Sequence, residues 1–119
     1  MLFQNAASES GAVARYEKIF WKNTNGTLTL NSAQITLTVD GSGKINIGLA
    51  TAVNDTGSVA DRKSAPGSVS FVGVSTAQNV PGDALAAGTA IGVWIKQSLG
   101  ANDAAQKASF TTQLSGTSV

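Results

Sequence analysis

The chain is predicted to fold as an all-β, immunoglobulin-like antiparallel β-sandwich of about seven strands over residues 13–119, preceded by an N-terminal arm over residues 1–12. Three observations predict this. Short apolar runs alternate with polar residues at a period of two, and turn signals built from Gly, Asn and Asp recur roughly every 8–12 residues. No amphipathic helix of useful length is visible, residues 101–108 being the one weak candidate. Finally, residues 16–28 and 85–95 each join an apolar strand to a Gly-containing turn. Each carries one of the two tryptophans, so they read first as paired core strands.

Residues 1–12 are small and polar except for Leu2 and Phe3, and they read as an arm rather than a strand, either a free disordered terminus or an arm ordered by docking on a neighbouring subunit with Leu2 and Phe3 as anchors. The β pattern starts at Val13. Ile19, Phe20 and Trp21 form a continuous apolar centre, as in a strand touched on both faces. Asn23-Thr24-Asn25-Gly26 is a turn in which Asn25 or Gly26 takes positive φ. Leu28 and Leu30 resume the alternation, and Asn31-Ser32 interrupts it with a bulge or bend. Ile35, Leu37 and Val39 then face one side while Gln34, Thr36 and Thr38 face the other. Asp40-Gly41-Ser42-Gly43 reads as a hairpin turn, with Ile45, Ile47 and Leu49 on the returning strand.

Residues 51–66 hold little apolar content and form a long exposed loop. Loops beyond about 12–15 residues are usually functional or mobile, so Asp61, Arg62 and Lys63 within it are candidate partner contacts. Val69, Phe71 and residues 72–74 make a further strand, and Val80-Pro81-Gly82-Asp83 turns. Residues 84–88 are either a short helical turn or an irregular start to a strand. Ile91, Val93 and Ile95 define the clearest core strand. Their alternation sends Trp94 to the opposite side, where it meets either a partner or a covering loop. Trp21 shares the Ile19 face, which leaves its burial open. A small-residue loop begins at residues 100–103, and Phe110, Thr112 and Leu114 alternate through the closing strand.

Composition narrows the function classes. Only 13% of the 119 residues are charged, against about 25% in a typical soluble domain. A surface of Ser, Thr, Asn and Gln is covered by neighbours without desolvating ions, which suits a subunit of a larger assembly. A β-rich extracellular module with a Thr/Ser surface has the same composition. The net charge of +1 generates no field that would gather nucleic acid or an anionic membrane. His and Cys are both absent, so imidazole acid–base catalysis, thiol nucleophiles, thiolate zinc sites and a Ser-His-Asp triad within one chain are excluded. The seven acidic residues lie nearly all in turns, where aspartate bonds the local backbone. Asn54-Asp55 and Asn102-Asp103 supply two oxygen ligands apiece, too few for calcium.

Gly41-Ser42-Gly43-Lys44 resembles the end of a phosphate-binding loop. It lacks the motif's first glycine, which would fall at Thr38, its final Ser or Thr, where Ile45 stands, and its helix. Arg15, Lys18 and Lys22, interleaved with Tyr16, Phe20 and Trp21, could form a nucleic-acid stacking platform. Core packing and lysines guarding an edge strand explain them better. No cofactor, metal, nucleic acid or membrane is therefore expected. No apolar run approaches ~18 residues, and residues 1–13 lack the marks of a signal peptide. The protein is expected either to stay in the cytoplasm where it is made or to leave by incorporation into a particle.

Lys18-Ile19-Phe20-Trp21-Lys22-Asn23-Thr24-Asn25-Gly26-Thr27-Leu28, Leu85-Ala86-Ala87-Gly88-Thr89-Ala90-Ile91-Gly92-Val93-Trp94-Ile95 and Ser109-Phe110-Thr111 together resemble small structural proteins of tailed bacteriophage virions. The resemblance covers most of residues 16–114 and is weak over 51–80. The second motif is also similar to a Leu-x-x-Gly step in bacterial immunoglobulin-like adhesion domains. The phage resemblance implies a non-enzymatic virion protein without cofactor. The leading expectation is a capsid decoration or cement protein that binds the outer capsid surface, with the major capsid protein or other virion proteins as partners, and that forms a homo-oligomer. A tail or head–tail connection protein and an immunoglobulin-like carbohydrate or cell-surface binding module are the alternatives. The candidate contact residues are Leu2, Phe3, Trp94, Asp61, Arg62 and Lys63.

Overall fold

In the computed structural model, residues 2–4, 13–40, 44–59, 65–99 and 107–118 are described. They form eight antiparallel strands: β1 (Leu2–Gln4), β2 (Val13–Lys22), β3 (Leu30–Asp40), β4 (Ile45–Leu49), β5 (Gln78–Asn79), β6 (Ala84–Leu85), β7 (Ala90–Leu99) and β8 (Lys107–Ser118). One sheet runs β1-β8-β3-β5, with β6 also on β3, and the other runs β2-β7-β4. The expected all-β sandwich is found.

The connectivity is a nested wrap. β1 pairs with β8, β2 with β7, and β3 with β5 and β6. Val72 bridges Ile47 of β4 through a reciprocal pair of backbone bonds at 2.9 and 2.8 Å. The chain thus behaves as one long hairpin rolled around the core, which is the wrapping of a jelly roll. The immunoglobulin order differs, because there the last two strands lie side by side in one sheet, whereas β7 and β8 lie in different sheets. β5 and β6 act as one interrupted strand along β3. The intervening turn at Pro81–Asp83 is spliced to the ladder by the Val80 amide, which donates to Ala33 O at 2.9 Å.

Alternation explains the core. Ala33, Ile35 and Leu37 of β3 and Phe110 of β8 meet Ile45, Ile47 and Leu49 of β4 and Ile91, Val93 and Ile95 of β7, with Val80 and Leu85 closing one side. Each fully buried branched side chain contributes roughly 1.5–3 kcal/mol. Trp21 packs against this cluster, and its indole Nε1 donates to Thr112 Oγ1 of the opposite sheet at 3.1 Å.

Several local expectations are corrected. Leu2–Gln4 are not part of a free arm but pair with Lys107, Ala108 and Ser109 of β8. β3 and β4 do not form a hairpin, because they lie in different sheets; the Ile45 amide donates to Asp40 Oδ2 at 2.8 Å, and the Gly41-Ser42-Gly43 turn lies outside the described residues. Val39 leaves the Ile35-Leu37 face, because a register shift between Leu37 and Val39 turns it outward to 55% exposure. Residues 69–74 contribute a single bridge rather than a strand. Neither Asn25 nor Gly26 takes positive φ. Instead Asn25 Oδ1 accepts from the Thr27 and Leu28 amides, both at 2.8 Å, and closes the turn with its side chain. The expected interruption at Asn31-Ser32 is found as a register shift before Gln34, with Ser32 at φ 51°.

Candidate functional site

The two tryptophan-bearing segments are neighbours in the fold. β2 and β7 pair over ten residues, from Val13 with Leu99 to Lys22 with Ala90. Beyond the strands, Asn23 Nδ2 donates to Leu28 O and to Leu85 O, both at 2.9 Å. The Gly88 amide donates to Asn23 O at 2.8 Å, and Asn23 N donates to Thr89 O at 2.9 Å. Gly88 reaches that position with φ +75°, a conformation a glycine adopts without steric cost.

The outward side of the three-stranded sheet holds most of the described chemistry. Rows across the sheet follow from register: Tyr16, Lys96 and Asn46; Lys18, Trp94 and Gly48; Phe20 and Gly92. The chain after β4 folds back over these rows as a third layer. Ala50 N donates to Gly92 O, and Asn54 N to Ala90 O, both at 2.8 Å. Phe71 stacks obliquely on Tyr16 with ring centroids 5.8 Å apart, and Lys96 Nζ lies 5.8 Å from the Phe71 ring.

Lys18 pins this layer. Its Nζ donates to Asp55 O at 3.2 Å, to Asp55 Oδ2 at 3.3 Å and to Gly57 O at 2.9 Å. The same ammonium sits 5.2 Å from the Phe20 ring and 5.4 Å from the Trp94 ring, within cation–π range. The Lys18 side chain is 10% exposed, so its three donors are satisfied inside the fold. Two glycines make room for this arrangement. A Cβ at Gly92 would collide with Lys18 Cε, and one at Gly48 would meet Val69 Cγ1 and, at 2.6 Å, Ser70 O.

Trp94 is 5% exposed. Of the two alternatives for its outward side, the covering segment is the one seen, with Ala50, Asp55, Gly57 and Val69 around it. A cleft of about 170 Å³ opens beside it, lined among others by Thr51, Asp55, Ser58 and Val69. Phe20, read as part of an apolar centre, is instead 58% exposed on the same sheet. Leu2 and Phe3 lie in β1 on the other sheet, away from Trp94 in the topology. Asp61, Arg62 and Lys63 fall outside the described residues.

Among the described residues no group of three or more carboxylates is placed to hold a metal ion. Asp40 and Asp55 both act on backbone amides or on Lys18. Sequence reasoning missed Lys18 as a clamp. Its trace was the pair of glycines at outward positions of otherwise apolar strands, which mark close approach by another segment. No helix among the described residues is long and apolar enough to cross a membrane. Comparison with protein-family models, with curated proteins and with solved structures finds no match.

Proposed function

We propose that the protein is a non-enzymatic structural subunit of a tailed-phage virion, a decoration or cement protein that binds the outer surface of the capsid and stabilises it. The observation that carries this reading is how its few charges are used. Charged residues make up 13% of a chain without His or Cys, and the described Lys18, Asp40 and Asp55 are engaged in holding the fold. What the molecule offers is area: uncharged polar surface with exposed Phe20, Val39 and Val74. Many modest contacts of that kind, repeated over a lattice, sum to a large stabilisation.

The test compares purified particles with and without this chain. Particles lacking it should lose infectivity sooner on heating or osmotic shock, and adding back the isolated protein should restore resistance. Particles that survive unchanged reject the cement role. Copy number separates the locations within a virion: hundreds per particle place the protein on the capsid, a dozen or fewer in the tail or head–tail connection. A second reading, a carbohydrate-binding module, is favoured by the cleft at Trp94. It ranks behind because the covered indole presents little ring face to a sugar.

A further inference from the structure

Asn25 and Gly26, in the turn between β2 and β3, form the single Asn-Gly step of the chain. Both are exposed. The Gly26 amide donates to no acceptor among the described residues, and nothing lies within 4 Å of where a Cβ on Gly26 would stand. Asn25 Oδ1 accepts from the Thr27 and Leu28 amides, both at 2.8 Å, and from Thr27 Oγ1 at 3.4 Å. Asn25 Nδ2 has no acceptor among the described residues. Asn23, in the same turn, is arranged the other way. Its Nδ2 is held by Leu28 O and Leu85 O, both at 2.9 Å, and Thr24 follows it.

We infer that Asn25 is a self-modifying position, deamidated by the chain's own backbone to an aspartyl or isoaspartyl residue. Gly26 N bonds to Asn25 Cγ and gives up its proton. The Cγ–Nδ2 bond breaks, and ammonia carries that proton away, leaving a cyclic imide. Water then opens the imide. Addition at Cγ restores the main chain with a carboxylate on the side chain. Addition at the Asn25 backbone carbonyl routes the main chain through the former side chain. Water is the only co-reactant, and nothing is oxidised or reduced.

The turn assists each part of the first step. The Gly26 nitrogen has no hydrogen bond to give up and no side chain of its own to crowd its approach to Cγ. Negative charge builds on Oδ1 in the tetrahedral intermediate, and two fixed amides already point at that atom, as the donors of an oxyanion hole do. Ammonia leaves directly into solvent. The two products fit unequally. An aspartyl carboxylate keeps the Thr27 and Leu28 bonds and strengthens them by its charge, whereas an isoaspartyl residue adds a methylene to the main chain and loses that closure. Either product takes the net charge from +1 to 0, one carboxylate replacing a neutral amide. The new charge stands beside the Asn23 stitch, because the Asn25 amide donates to Asn23 Oδ1 at 3.0 Å. The inference holds whatever surface the protein binds.

The full chain is incubated at neutral pH in heavy-oxygen water, folded and, in parallel, unfolded in urea. The folded chain should accumulate a form that focuses below the starting pI of about 8.1. Mass spectrometry should place the incorporated oxygen at position 25, in the stretch between Lys22 and Lys44. One fixed donor contributes about 100-fold in an enclosed site, so in this exposed turn the folded chain should convert roughly tenfold faster than the unfolded one. Gly26→Ala has room for its methyl. It should retain the β circular-dichroism spectrum and slow the conversion several-fold. A folded chain that stays unconverted overturns the inference, and so does one that converts more slowly than the chain in urea. Conversion of Asn23 as fast as Asn25, or an undiminished rate in Gly26→Ala, overturns it equally.

Discussion

Lys18 shows how one residue can join two layers. Its alkyl stem crosses the bare backbone of Gly92 and its ammonium ties Asp55 and Gly57 to the sheet. Lys18→Met keeps the apolar stem and removes the donors. It should destabilise the protein by about 1–2 kcal/mol, a moderate figure because Asp55 stays one-third exposed and hydrated. Urea unfolding would read the loss, and amide hydrogen exchange should locate it at residues 50–59 while the core strands keep their protection. Gly48→Ala acts on the same layer by another route. Its new methyl meets the Ser70 carbonyl oxygen, a backbone atom that cannot rotate away. A cost of about 1–3 kcal/mol is expected, again with the exchange confined to the covering segment.

At the scale of elements, the turn after β2 and the turn before β7 are stitched by Asn23. Asn23→Ala removes the bonds to Leu28 O and Leu85 O and the acceptor for the Asn25 amide. A loss of about 2 kcal/mol in thermal or urea unfolding is expected. An unchanged midpoint would show that these bonds are replaced by water without cost.

The same elements show what the sequence could reveal. β7 was legible because Ile91, Val93 and Ile95 keep a strict period of two and all are fully buried. That period states which side chains face the core but not which strand is adjacent. For this reason β3 and β4 read as a hairpin: a connection between two sheets produces the same alternation as a turn within one. Val39 escaped for a related reason, since a bulge inverts the facing residue without altering the pattern. The candidate site was less legible still. Trp94 was correctly turned away from the Ile91-Val93-Ile95 face, yet the residues that cover it come from a loop with hardly any apolar signal. The closeness of that loop is recorded only in the missing side chains of Gly48 and Gly92.

For the whole molecule, the nested wrap pairs the first described strand with the last and leaves few local pairings. Folding must therefore close long loops before contacts reward it, and refolding is expected in the millisecond-to-second range typical of such topologies. Stopped-flow refolding checks this, and a microsecond phase with full amplitude would contradict it. The wrap also makes the two ends unequal. β8 lines the whole of β3 and supplies Phe110 and Leu114 to the core, whereas β1 adds three residues at a sheet edge. Removing residues 107–118 should abolish cooperative unfolding, and removing residues 1–4 should lower the melting temperature by only a few degrees. The placement of the two indoles has a further consequence. Trp21 is bonded across the interior to Thr112, and Trp94 lies beneath the outer layer beside a fixed cation. Each emits from a different depth of the same molecule, so the light from one reports whether the two sheets remain joined and the light from the other reports whether the covering segment remains closed.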